Sequence, residues 1–313
     1  MNKLNKLIRS NGFNNAMSSI FAILIGLAFG FIVLLISDPS QAVNGFWIIL
    51  QGGFSTGAKG IGQVFYFATP LILTGLSVGF AFKTGLFNIG APGQFIMGAF
   101  AAVFVGVRCT FLPAPFHWMV ALLAAAIVGG LWALIPGILK AYYNVHEVIA
   151  TIMMNYIGMY LCNMLVKLFI YDSNKSLSMN CLESADLPKW GLDNIFCNVT
   201  GNYKDISTVN GGIIIAIFVA ILIYIILNKT IFGYELKACG FNSSASRYAG
   251  INEKRNIVLS MVISGALAGL GGGLLYLSGA NGRHIKVVDV LAVEGFNGIP
   301  VALLGLSNPI GII

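Results

Sequence analysis

The chain has 313 residues, 57% hydrophobic and only 9% charged, with a net charge of +7. A soluble domain carries about 25% charged residues, so a water-soluble globular fold is excluded: too few polar side chains are available to coat it. Lysines and arginines are scattered between apolar blocks instead of forming a stripe, which excludes nucleic-acid binding and suits the loops of a membrane protein.

A helix needs about 20 apolar residues to cross the hydrocarbon core. Eight uncharged runs meet or approach that length: 17–36, 60–82, 84–107, 118–139, 148–166, 211–227, 256–280 and 295–313. None alternates polar and apolar residues as barrel strands do. The expected fold is an all-α polytopic integral membrane protein with about eight spans. Residues 1–16 form a cytoplasmic N-terminus, because Lys3, Lys6 and Arg9 precede the first run. Residues 17–313 form the transmembrane domain. The first run is too long for a cleaved signal peptide, and no small-residue cleavage site precedes Ser37-Asp38-Pro39. The Gly-rich segment that follows has an apolar centre, 46–50, too short to span and suited to the interface.

The third run opens with Gly85-Leu86-Phe87-Asn88-Ile89-Gly90-Ala91-Pro92-Gly93-Gln94. Pro92 has no N–H, so the Asn88 carbonyl loses its helical donor, and Ala91 is pushed toward an extended shape. Gly90 and Gly93 ease further unwinding. A broken helix at membrane depth is tolerated inside protein or along a water-filled path, and such breaks commonly line transport sites. Asn88, Gly90, Gly93 and Gln94, joined by Asn155 of the fifth run, are the candidate substrate path. The alternatives are a kink that eases packing and, favoured for Asn155, an interhelical hydrogen bond.

Alternating crossings place 172–210 outside and 228–255 in the cytoplasm. The outer loop is polar and holds Cys181 and Cys197. They are read as free thiols; a disulfide would need an oxidising side and a geometry that spacing does not reveal. Asn198-Val199-Thr200 matches a glycosylation acceptor, which means little without a secretory context. In the seventh run Gly265, Gly269 and Gly273 share a face, as do Gly75 and Gly79 in the second; such faces let helices approach closely.

The inner loop carries its own signal. Asn242-Ser243 is an N-cap and Gly250 a C-terminal stop, which predicts a short helix over 243–249 exposing Arg247 and Tyr248.

Several chemistries are missing. The string 53–59, Gly-Phe-Ser-Thr-Gly-Ala-Lys, is not a P-loop, so the chain does not bind ATP by that route. No Cys pair or His/Cys/carboxylate cluster suits a metal, and His117, His146 and His284 read as polar border residues. No cofactor and no enzymatic activity is expected. The eight runs hold no Asp, Glu, His, Lys or Arg, with Glu147 and Glu294 at run edges. That argues against coupling to an ion gradient through buried carboxylates.

The inner loop resembles the coupling segment of ABC importer permeases, G-x-N-x-x-A-A-x-x-A/Y-G-I, with Gly240, Asn242, Ala245, Arg247, Tyr248, Gly250 and Ile251 in matching positions and Ser246 replacing an alanine. Residues 69–76 (Thr-Pro-Leu-Ile-Leu-Thr-Gly-Leu), 85–94, 147–156 and 295–305 also resemble family segments. The resemblance is strongest to the nucleoside branch of the branched-chain amino acid and sugar permease superfamily, which works with a basic-membrane-lipoprotein type binding protein. It implies a multi-pass permease of the bacterial cell membrane that forms the substrate path. Its implied partners are a separate ATPase subunit, an extracytoplasmic substrate-binding lipoprotein and a second permease chain, identical or homologous. Glu235 is counted with the matched loop residues as ATPase-coupling. Pro92 and Pro300 depart from the pattern, where Glu or Ser and Ala are usual. Family members also continue past residue 313, so a truncated C-terminus is expected. A sugar or branched-chain amino acid substrate, or an ATP-independent carrier or channel, remains the alternative.

Overall fold

The computed structural model describes residues 11–175, 177–200, 203–278 and 284–313. Lys3, Lys6 and Arg9, with most of the expected N-terminal segment, lie outside the described residues. In chain order come α1 (Asn11–Ser37), the short α2 (Ala42–Gln51), α3 (Gly57–Lys83), α4 (Ala91–Arg108), α5 (Ala114–Tyr143) and α6 (Glu147–Phe169). A polar segment follows, with β1 (Tyr171–Asp172) antiparallel to β2 (Leu177–Ser178), the single turn α7 (Leu192–Ile195), and β3 (Cys197–Thr200) antiparallel to β4 (Tyr203–Ile206). Then come α8 (Gly212–Lys229), α9 (Ile231–Phe241), α10 (Ser243–Tyr248), α11 (Glu253–Tyr276), α12 (Val293–Leu304) and α13 (Pro309–Ile312).

Among the described residues, seven helices are long and apolar enough to cross a membrane: α1, α3, α4, α5, α6, α8 and α11. Their burial is the reverse of a soluble protein's. Large apolar side chains such as Ile25, Phe29, Leu168 and Phe218 point outward. Ser77, Asn88, Gln94, Thr151, Asn155, Ser260 and Ser264 are at most 1% exposed. Lipid accepts the first group at no cost. The second group must find partners inside, because the hydrocarbon offers none.

α11 is the central helix and packs against α5, α4 and α3. Small residues make this possible. A Cβ at Gly269 would fall 2.4 Å from the Ala125 carbonyl, and one at Gly98 would fall 2.3 Å from the Gly269 Cα. The expected small-residue faces are therefore helix contacts: Gly265, Gly269 and Gly273 meet α5, while Gly75 and Gly79 receive Val301 and Ile312.

Two expected spans are built differently. The third run is not one broken helix. Residues 84–90 are non-helical and α4 begins at Ala91, which is helical and not extended. Pro92 falls in the first turn, where its missing N–H has no helical acceptor anyway. The eighth run is not one helix either. Residues 284–292 are non-helical and lead down to α12. Leu306 and Ser307 then turn in the left-handed region, and α13 folds back so that Ile312 meets Gly75, Gly79 and Gly305.

The polar segment caps one end of the bundle. Ser178 N–H donates to the Ile285 carbonyl at 3.0 Å and Ser178 Oγ accepts from Ile285 N–H at 3.1 Å. Lys59 pairs with Asp205 at 2.7 Å, holding β4 to α3. His117 is fully buried, between Ser184 Oγ at 2.8 Å and the Val105 carbonyl at 3.0 Å, and so ties the start of α5 to the polar segment and to α4. All five cysteines are free thiols.

Candidate functional site: a buried break, a crevice and an exposed short helix

Three regions bear on transport, and α11 connects them. The first is the non-helical turn 84–90. Asn88 side-chain N–H groups donate to Gln94 Oε1 (2.9 Å) and Ser264 Oγ (2.7 Å). Asn88 Oδ1 accepts from Gly90 N–H (2.9 Å) and Gln94 Nε2 (3.1 Å). Asn155 accepts from Gly93 N–H and donates to the Ile89 carbonyl, both at 2.9 Å. These amides replace the hydrogen bonds that the unwound backbone gives up. Gly93 must be glycine, since a Cβ there would lie 2.9 Å from the Asn155 Cα. In this conformation Asn88 and Gln94 bond each other, Asn155 bonds the backbone of Ile89 and Gly93, and none of the three is among the residues lining the crevice beside α12.

The second region is a crevice of about 850 Å³. Its upper wall carries Leu177, His284 and Lys286 beneath the polar cap. Phe67 and Leu71 of α3, Ile96 of α4, Tyr276 of α11 and Glu294 and Asn297 of α12 line the rest of it. Beside the crevice, α12 packs on α3 and the start of α4 through contacts that only small residues allow. A Cβ at Gly295 would fall 2.4 Å from the Pro92 Cα, and one at Gly298 would fall 2.6 Å from Thr74. Thr74 Oγ1 is 3.1 Å from the Glu294 carbonyl. Glu294 lies in the first turn of α12 and is partly buried. Pro92, the noted departure in sequence, forms part of this contact.

The third region is the α9–α10 elbow. Thr230 caps α9 by accepting from Gly233 N–H (3.1 Å), and Asn242 caps α10 by accepting from Ala245 N–H (3.0 Å). Gly250 ends it in a left-handed conformation (φ 83°). The expected short helix is present, one residue shorter than 243–249; α9 before it was not foreseen, although Thr230-x-x-Gly233 is a capping signal. Asn242, Ala245, Arg247, Tyr248 and Gly250 are exposed, with Tyr248 at 94%. Glu235 instead turns inward and accepts from Asn256 at 3.1 Å. Gly240 packs on the end of α3, where a Cβ would meet the Lys83 carbonyl at 2.4 Å.

α11 links these regions through Asn256, Ser260 and Ser264, spaced four apart and so stacked on one helix face. Asn256 binds Glu235 of α9, Ser260 meets Thr84 at the end of α3, and Ser264 binds Ser77 and Asn88. Sequence inspection missed this stripe, though three polar residues at helical spacing in an apolar run signal it. It also missed Glu294 and Asn297, which stand one turn apart around Gly295. Among the described residues no group of His, Cys, Asp or Glu is gathered as a metal site.

Comparison with known proteins agrees with this architecture. The family described as branched-chain amino acid transport system / permease component matches residues 60–313. The chain is 42% identical over 294 residues to the guanosine ABC transporter permease protein NupP of Bacillus subtilis, covering 94% of this chain and 80% of that one. It is 36% identical to the nucleoside ABC transporter permease protein NupB of Lactococcus lactis, covering 96% and 82%. It is 31% identical to the glucose ABC transporter permease protein TsgB13 of Haloferax volcanii, covering 94% and 75%. No solved structure matched the chain. With seven membrane-crossing helices and a family match over most of its length, the chain is a multi-pass cell-membrane protein that belongs to the branched-chain amino acid transport system permease-component family.

Proposed function

We propose that this chain is the path-forming subunit of an ATP-driven nucleoside importer and takes its power stroke through α10. The observation that carries this reading is the α9–α10 elbow: a capped helix with Arg247 and Tyr248 exposed, standing on a helix locked to α3 and α11. Exposed Arg and Tyr are the residue types that anchor protein interfaces. A push on α10 reaches Gly240 and the end of α3, then the Asn256–Ser260–Ser264 stripe and the turn 84–90. In this reading Asn88, Gly90, Gly93, Gln94 and Asn155 form a hinge beside the path and hold its shape. The α10 face is cytoplasmic and the polar cap extracytoplasmic. An ATPase subunit docks on the first, a substrate-binding lipoprotein on the second, and a second permease chain completes the path. The nucleoside assignment is supported by the names of the two permeases described above from Bacillus and Lactococcus.

Arg247→Glu tests the docking. Reversing one central interface charge is expected to weaken recovery of the ATPase subunit about tenfold or more. Membrane insertion and the melting temperature of the detergent-solubilised chain should stay unchanged, because Arg247 packs outside the bundle. Undiminished co-purification would remove α10 from the interface.

A further inference from the structure

We infer that residues 286–293 form a wetted wall of the transport path, reached by water from the extracytoplasmic side; this rests on the reading of the chain as path-forming. The segment descends along the bundle without forming a helix before Val293. Its upper end is fixed at the polar cap, where Ile285 bonds Ser178. Its lower end enters α12, where Gly295 packs on Pro92. Pro92 lies in the first turn of α4, about 24 Å below Arg108 at the other end of that helix. Between these levels the Val288 carbonyl accepts from Asn163 of α6 at 3.1 Å. Asn163 is itself about 9 Å below Phe169, the last residue of α6. The chain from Val288 to Val293 therefore runs at hydrocarbon depth, in a core about 30 Å thick.

At that depth an irregular backbone is tolerated only inside protein or along water, because hydrocarbon offers no hydrogen bonds. The N–H groups of Asp289, Val290, Leu291 and Ala292 find no acceptor among the described residues. Two charged side chains stand on the same stretch. Lys286 and Asp289 are exposed, and among the described residues neither forms an ion pair. Asp289 accepts one hydrogen bond, from Asn163 at 2.9 Å. Its stem is too short to carry the charge up to the membrane surface, as a lysine stem can. Lipid leaves such a face unsatisfied. A dry contact with another chain would need a matched acceptor for each N–H and a cation for Asp289; water supplies both. Room for water exists on both sides. The crevice of about 850 Å³ flanks the segment toward α3 and α11, and another of about 460 Å³ lies between it and α6, lined by Tyr160, Asn163, Lys167 and Asp289. A water takes up about 30 Å³ in the liquid, so either crevice holds several.

The test places single cysteines at two positions of similar exposure and opposite surroundings: Val290 on this wall, 67% exposed, and Phe218 on the outward side of α8, 65% exposed. Right-side-out vesicles holding the complete importer are treated with a membrane-impermeant methanethiosulfonate. The reagent reacts with the thiolate, which forms where water reaches the sulfur. The native chain sets the baseline, because Cys109, Cys181 and Cys197 are partly exposed. Val290→Cys is expected to label about tenfold or more faster than Phe218→Cys, and its modification to abolish uptake of labelled guanosine. Equal labelling at the two positions would overturn the inference, since the wall would then be covered by protein or lipid. Fast labelling with undiminished uptake would overturn it too, by placing water there but no path. Should Val290→Cys fail to assemble, Val288→Cys on the same stretch carries the same comparison. A native importer that takes up no guanosine fails the nucleoside reading alone, and the labelling rates still decide whether the wall is wetted.

Discussion

Asn88→Ala is expected to destabilise the chain by about 3–5 kcal/mol, lowering its melting temperature in detergent and the yield of monodisperse protein. The magnitude follows from what is stranded. Gln94 loses both its donor and its acceptor, Gly90 N–H loses its acceptor, and Ser264 loses a donor. Each buried polar group left unpaired costs about 1–3 kcal/mol, and local rearrangement recovers only part of that. Asn88 is 0% exposed, so water does not replace the lost bonds. Asn228, an exposed amide at the end of α8, is the control: Asn228→Ala should be near neutral. An Asn88→Ala chain that melts like the native one yet fails to transport would show that Asn88 acts on the substrate and not on the hinge.

Gly269 carries the second large effect. Its hydrogen atoms face the backbone of α5, and an added Cβ would lie 2.4 Å from the Ala125 carbonyl and 2.9 Å from the Gly129 Cα. Backbone atoms in a helix cannot swing aside as a side chain does, so α11 and α5 must separate. Separation also loosens α4, because Gly98 sits against Gly269 on another side. Helix association in a membrane depends on such packing, with no hydrophobic drive to compensate for lost contact. Gly269→Ala is expected to cost about 3 kcal/mol, the upper end for overpacking, and Gly269→Leu to give no folded protein by size-exclusion chromatography. Gly30 of α1, with nothing within 4 Å of an added Cβ, should accept alanine without loss. Equal tolerance at both positions would contradict the packing described.

The sequence made the bundle legible because its two strongest signals are independent of tertiary contact. Apolar length locates the helices, and four-residue glycine spacing locates their closest approaches. α10 was legible for a similar reason: Asn242 and Gly250 fix its ends by local hydrogen bonding and backbone conformation. Other features depend on competition between rules. At Ala91-Pro92 the bias of a pre-proline residue toward extended structure lost to the fitness of proline for a helix first turn. The partnering of Asn88 with Gln94 and of Asn155 with Gly93 was also out of reach. Sequence brings the residue types together, but only the fold decides whether an amide faces a path or another amide.

The central claim is that this chain is a path driven by a separate motor. Proteoliposomes containing the chain and its permease partner, with binding protein and labelled guanosine on the outside and ATP enclosed, test it directly. The account predicts guanosine accumulation when the ATPase subunit is present, and none when it is omitted or when α10 carries Arg247→Glu. Concentrative uptake by the permease chains without any ATPase would contradict it.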